Sequence, residues 1–184
     1  MKRRIVLSAG HSNVPGKDMG AEGNGYIEGN LTVELRDLIK EQLNSWGIPV
    51  SVDPNSNVTK DTVALFKKWF GANDIVVDIH FNASINPDAN GTEVLIPDSP
   101  SAFESVLARK LLNALVAFNL RSRGVRHEGE SARKKLFFFT IPSETVLIEV
   151  CFISNGRDMA RYVTQKKAIA YSLATVLREV QTWQ

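Results

Sequence analysis

The stretch Asp74-Ile75-Val76-Val77-Asp78-Ile79-His80-Phe81-Asn82-Ala83-Ser84 decides how this chain folds. Ile75, Val76, Val77 and Ile79 lie between Asp74 and His80, the reading of a strand buried on both faces. The run then delivers an imidazole, an amide and a hydroxyl at its C-terminal end. In an open parallel α/β sheet, chemistry gathers outside the carboxyl ends of the strands. A His in that place is therefore a functional candidate, provided that other segments bring it partners.

Two more short apolar runs end in the same way. Ile5-Val6-Leu7 leads into Ser8-Ala9-Gly10-His11, and Val146-Leu147-Ile148-Glu149-Val150 carries a carboxylate among aliphatic residues. Between them the pattern alternates. From Ser12 to Gly29 glycines, a proline and asparagines break any periodicity, so a long loop is expected, and such loops are usually functional. Asn30 reads as the N-cap of a helix that carries Leu31, Leu35, Leu38, Ile39, Leu43 and Trp46 inward, with Gly47 as its stop. A strand over Ile48–Val52 and a turn over Asp53–Asn57 come next. A helix from Thr59 then buries Val63, Phe66 and Phe70.

Beyond His80, Asn86–Gly91 forms a turn and Thr92–Ile96 a strand. Ser101 and Glu104 make a capping box for a helix that buries Phe103, Leu107, Leu111, Leu115 and Phe118. Arg121 to Lys135 reads as an exposed basic segment, Leu136–Thr140 as a short apolar run that fits a strand, and Met159–Gln181 as the last helix. Strands alternating with helices predict right-handed crossovers. The expected fold is a single α/β domain over residues 1–184, with a mostly parallel twisted sheet and helices on both faces.

Bulk properties narrow the function. The 184 residues are 43% hydrophobic and 23% charged, with a net charge of +2. No Lys/Arg stripe with interleaved aromatics appears, so nucleic acid is not an expected partner. The single Cys151 rules out an internal disulfide framework or a cysteine zinc finger, and fits a small buried side chain. Leu111–Leu120 is interrupted by Asn113 and Asn119 and falls short of the roughly 20 apolar residues of a membrane span. After Met1-Lys2-Arg3-Arg4 the apolar run is too short for a secretory leader, so no signal peptide is expected in this chain.

Two imidazoles, His11 and His80, with a carboxylate suit a borderline-soft divalent ion, and an open fourth position is the catalytic zinc arrangement. The spacing from His11 to His80 carries no weight by itself; strand-end placement does. Taken alone, His11 reads equally as a loop histidine and Glu28 as a loop carboxylate. Glu149 needs explaining on any reading, since an unpaired buried carboxylate is costly, and either a metal site or a buried salt bridge answers. Glu34 competes with Glu28, but its place in an amphipathic helix favours a solvated face.

Five blocks carry a family resemblance: Ile5–His11, Glu28 in the following loop, Ile79-His80-Phe81-Asn82-Ala83-Ser84, Gly91-Thr92-Glu93-Val94, and Val146 to Asn155 with Phe152-Ile153-Ser154-Asn155 at its end. In this order they resemble the zinc-dependent N-acetylmuramoyl-L-alanine amidases of bacteria and phages. The resemblance implies Zn2+ held by His11, Glu28 and His80, with Glu149 as catalytic glutamate and Asn82 ordering the loop after His80. It implies hydrolysis of the amide between the lactyl group of N-acetylmuramic acid and L-alanine in peptidoglycan. Action on the cell wall follows, as a phage-type lysin or the catalytic domain of an exported protein. A zinc peptidase cutting within the stem peptide, or a silent wall-binding domain, are the competing readings. Arg121, Arg123, Arg126, Arg133, Lys134 and Lys135 either meet carboxylates of the peptide stem or form a solvated loop.

Overall fold

A computed structural model describes residues 2–55 and 59–183; the end of the turn expected over Asp53–Asn57 lies outside the described residues. The chain runs β1 (Ile5–Ala9), β2 (Glu22–Gly23), β3 (Tyr26–Ile27), α1 (Glu28–Ser45), β4 (Val50–Val52), α2 (Thr59–Trp69) and β5 (Ile75–Asn82). It continues β6 (Thr92–Ile96), α3 (Ala102–Val116), β7 (Ser122–His127), β8 (Glu144–Phe152) and α4 (Gly156–Val180). The main sheet has the order β4-β1-β5-β8-β6-β7. β4, β1, β5 and β8 are mutually parallel, β6 pairs antiparallel with β8, and β7 pairs parallel with β6. The first residues of β6 and β7 therefore reach the same sheet edge as the last residues of β1, β5 and β8.

The pleat sorts the side chains of β5 with a period of two. Ile75, Val77, Ile79 and Phe81 enter the large core, with Ile5 and Leu7 of β1 and Val146, Ile148 and Val150 of β8. α1, α3 and α4 cover that face through Leu35, Ile39, Leu43, Leu107, Leu111, Leu115, Leu173 and Leu177, all almost fully buried. Each such side chain contributes about 1.5–3 kcal/mol from burial. Phe81 meets Tyr162 edge to face, ring centroids 4.8 Å apart. The opposite face is covered only in part. There α2 and a 3-10 turn at Phe137–Thr140 bury Val6 and Val76 under Val63, Phe66, Phe70, Phe138 and Ile141. The uncovered remainder carries Asp78 and His80 of β5, Leu147 and Glu149 of β8, and Glu93 and Leu95 of β6, which together floor a cleft.

The capping box is present: Ser101 Oγ accepts from the Glu104 N–H and the Glu104 carboxylate accepts from the Ser101 N–H. Four expectations need correcting. α1 begins at Glu28 rather than after Asn30, so Glu28 is its first residue and not part of the loop. The segment 121–135 contains strand β7, and 137–140 is a 3-10 turn rather than a strand. α4 starts three residues early, at Gly156, because the Asn155 side chain accepts from the N–H groups of Arg157 and Asp158. Among the described residues no helix is long and apolar enough to cross a membrane.

Candidate active site

Three expected residues converge where β1 and β5 end. The Gly10 N–H donates to Ile79 O at 2.9 Å, tying the turn after β1 to β5. A Cβ on Gly10 would stand 2.0 Å from His80 Nε2, so the turn passes flat against the imidazole. His11 follows, its ring 5.0 Å from that of His80 in an edge-on arrangement. The Asn24-Gly25 turn joins β2 to β3 with positive φ at both residues (51° and 80°), the hairpin geometry this dipeptide favours. That hairpin delivers Glu28 back under the two histidines.

Glu28 is held by backbone. Its Oε1 accepts from Phe81 N–H and its Oε2 from Ala21 N–H, both at 2.9 Å. His80 Nδ1 stands 3.2 Å from Oε1, and His11 Nε2 stands 3.4 Å from Oε2. Burial opposes the charge, but His80, His11 and the Ala21 N–H hold the Glu28 pKa below the ordinary carboxylate value. Gly20, at φ +75°, leaves room for both groups: a Cβ there would lie 2.6 Å from Glu28 Oε2.

The donor set fits a metal ion. One ligand-type atom from each of His11, Glu28 and His80 lies within 4.8 Å of the others. Each imidazole meets its own oxygen of the Glu28 carboxylate, His80 at 3.2 Å and His11 at 3.4 Å, so two nitrogens and a carboxylate, donors that suit zinc, are gathered in one place. On the far side of the ring His80 Nε2 lies 3.1 Å from Asp78 Oδ2. With the proton on Nε2 donating to Asp78, the Nδ1 lone pair confronts the Glu28 carboxylate. A proton or a cation has to lie between them. Burial pulls the His80 pKa down, yet Asp78, Glu28 and Glu149 together push it well above the ordinary value.

Glu149 faces His80 across β5 and β8 and faces Glu93 across β8 and β6. The residue borders the cleft, but its Oε2 is sealed from solvent without a hydrogen-bond partner. Burial first, then the nearby carboxylates of Glu28, Glu93 and Asp78 against the opposing charge of His80, push its pKa up to about 8. The buried salt bridge that could also have accounted for this carboxylate is not found among the described residues. Asn82 does order its surroundings: its amide donates to Glu93 Oε1 at 3.0 Å and its carbonyl oxygen accepts from Ala83 N–H. Cys151 is fully buried. Glu34 pairs with Lys166 on α4 and does not line the cleft.

Asp78 and Glu93 were not singled out from the sequence as site residues. The available signal was the one that marked Glu149, an acidic residue inside an apolar strand. The cleft encloses about 820 Å³ and also includes Arg123, Arg126, Arg133 and Lys135 from the basic stretch.

This arrangement makes the chain one of the α/β domains whose strand ends could hold a metal ion over an open cleft, beside a half-buried carboxylate. Residues 5–179 match the N-acetylmuramoyl-L-alanine amidase family, and the chain belongs to it. It is 28% identical over 160 residues to N-acetylmuramoyl-L-alanine amidase LytC of Bacillus subtilis, covering 85% of this chain and 31% of that one. It is 28% identical over 163 residues to the endolysin of Bacillus phage SPP1, covering 87% of this chain and 58% of that one. The chain thus spans 31% and 58% of the length of these two relatives. The fold is shared with N-acetylmuramoyl-L-alanine amidase AmiC2 of Nostoc punctiforme, at TM-score 0.79, 22% identity and 97% coverage of both chains.

Proposed function

We propose that this protein hydrolyses the amide bond between the lactyl group of N-acetylmuramic acid and L-alanine in peptidoglycan, acting on the cell wall with zinc as its metal. The observation that carries the reading is the convergence of His11, Glu28 and His80, with one ligand-type atom of each within 4.8 Å of the others and His80 Nδ1 set 3.2 Å from Glu28 Oε1, where a proton or a cation has to lie. His11, Glu28 and His80 would hold the ion, which when bound supplies Lewis acidity to polarise the scissile carbonyl and acidify water. Two imidazoles with a carboxylate suit zinc better than a hard ion such as magnesium.

The remaining work falls to the chain. Glu149, which borders the cleft, takes the proton of the attacking water and returns it to the leaving nitrogen, the two tasks of one general base and acid. The backbone N–H groups of Phe81 and Ala21 fix Glu28, and Gly10 fixes the plane of His80. Asp78 orients the same imidazole from Nε2. Replacing such a carboxylate weakens metal binding by about 10- to 100-fold. Asp78→Asn is expected to do so here, read as the zinc dissociation constant in competition with a chromophoric chelator. An unchanged constant would remove Asp78 from this role.

Incubating purified cell walls with the protein and analysing the released fragments by mass tests the function. Expected are intact muramic lactyl acids and peptides with a free L-alanine amine, abolished by a chelator and restored by zinc. Cleavage within the stem would make the protein a peptidase instead. Wall binding without any cleavage would make it a silent domain.

A further inference from the structure

The basic stretch expected to be either solvated or substrate-facing divides in the structure. Arg121 and Lys134 do not line the cleft, whereas Arg123, Arg126, Arg133 and Lys135 do. Lys135 already has carboxylate partners in Asp98 at 3.0 Å and Glu128 at 3.3 Å. Arg123 and Arg126 are different: β7 runs against the central strands, so Arg123, near its start, stands at the catalytic edge, while Arg126, level with Leu95, lines the cleft further down.

Both guanidinium groups lean on one carboxylate. Arg123 Nε donates to Glu93 Oε2 at 2.8 Å, and Arg126 Nη1 lies 3.5 Å from the same oxygen. The other oxygen of Glu93 is occupied by the Asn82 amide. Two cations sharing one anion leave a surplus positive charge at the cleft wall. Arg126 also donates from Nη2 to Glu130 O at 3.1 Å. Arg123 is held more rigidly, with its guanidinium carbon 5.0 Å from the centroid of the Phe152 ring. Its Nη1 and Nη2 make no hydrogen bond among the described residues, while about a third of the side chain is exposed. A planar fork fixed at its base and on its face, with its outer edge unused, is preorganised for a carboxylate.

Position says which part of a substrate this fork meets. β7 lies two strands from Glu149, and adjacent strands are about 4.8 Å apart. Arg123 reaches back over the first of those spacings to Glu93. Its guanidinium thus stands within one or two extended residues of the reacting carbonyl, at roughly 3.3–3.6 Å per residue. A muramoyl sugar bears no charge of its own near the scissile bond, and the peptide side does.

We propose that Arg123, set by Glu93 and Phe152 and supported by Arg126, is the specificity-determining residue for a free carboxylate on the peptide side, within two residues of the scissile amide. This inference rests on the amidase reading given above. The test uses two muramoyl dipeptides that differ only in the second residue, its α-carboxylate free or amidated. The zinc-loaded protein is expected to favour the free acid by about 10- to 100-fold in kcat/KM, the range of a charge-assisted hydrogen-bonded pair. Arg123→Gln brings that ratio close to one without loss of zinc, and Arg123→Lys, which keeps the charge without the fork, gives an intermediate ratio. Lys110→Gln, on the far side of the molecule, leaves the ratio intact.

Equal handling of the two dipeptides by the wild-type protein overturns the proposal, as does an Arg123→Gln ratio equal to that of the wild type. If Arg123→Gln fails to fold, as judged by its melting curve, the Arg123→Lys ratio decides alone. If neither dipeptide is cleaved, the amidase reading fails. The same comparison is then made as dissociation constants by calorimetry on the Glu149→Gln protein. Tighter binding of the free acid there supports the carboxylate subsite, and equal or absent binding overturns it.

Discussion

Glu149→Gln is expected to lower kcat on muramoyl peptides by about 10³-fold, within the 10²–10⁴ that a positioned general acid and base supplies. The substitution keeps the volume of the side chain and removes only its ability to take a proton. Zinc content should stay at its wild-type level, because the three residues that would hold the ion are untouched. Melting should change little, since Oε2 has no hydrogen-bond partner to lose. Elemental analysis and turnover on the same preparation separate the two effects. Turnover near the wild-type rate would remove Glu149 from the reaction.

Gly10→Ala is expected to have an effect as large by another route. The added methyl would lie 2.0 Å from His80 Nε2 and 2.1 Å from Cε1, far inside any allowed contact. The ring cannot yield cheaply, being fixed at Nδ1 by Glu28 and at Nε2 by Asp78. Swinging it aside removes one of three ligands, so zinc affinity should fall by more than the roughly 100-fold upper range for losing a group that merely orients a ligand. Gly71→Ala is the control, because a Cβ there meets nothing within 4 Å. Titration with zinc, followed by elemental analysis after desalting, reads the result. Full retention of zinc by the Gly10 variant would show that the turn can withdraw from the imidazole.

The core of the fold was legible because period and composition agreed. In β5 the apolar residues at Ile75, Val77, Ile79 and Phe81 identify one buried face, and the polar Asp78 and His80 identify the other. The strand-end His and the acid in β8 then followed from topology alone, as both strands run the same way. What pattern reading misplaced was the start of α1. Gly29 looks like loop punctuation ahead of a cap at Asn30, yet both lie inside the first turn. Gly29 is there because a Cβ would stand 2.0 Å from Ser12 O, a close approach between segments that no local pattern encodes. The Asn24-Gly25 hairpin signal was present in the sequence and would have placed Glu28 directly after a strand.

β7 was hidden for a different reason. As an edge strand with little burial it shows no hydrophobic alternation, and Gly124, at φ +94°, sits where its pairing with β6 shifts register. Charged edges are how sheets discourage unwanted pairing, so an arginine-rich segment hides a strand well. The same absence of pattern left the acidic partners of those arginines unread. Glu93 was quoted within a motif, but its link to Arg123 spans two strands and becomes visible only with the sheet order in hand.

The outward place of β7 has a consequence for how such a protein diversifies. His80 and Glu149 lie on strands enclosed on both flanks, and His11 follows one, so replacements there disturb packing on either side. β7 has a neighbour on one flank only, and its side chains are mostly at the surface. If Arg123 reads the stem as proposed, a lineage can exchange it for glutamine or glutamate on that rim, meeting amidated or oppositely charged stems, while the residues proposed for hydrolysis stay as they are. The sheet order thus uncouples the bond that is cut from the wall in which it is cut.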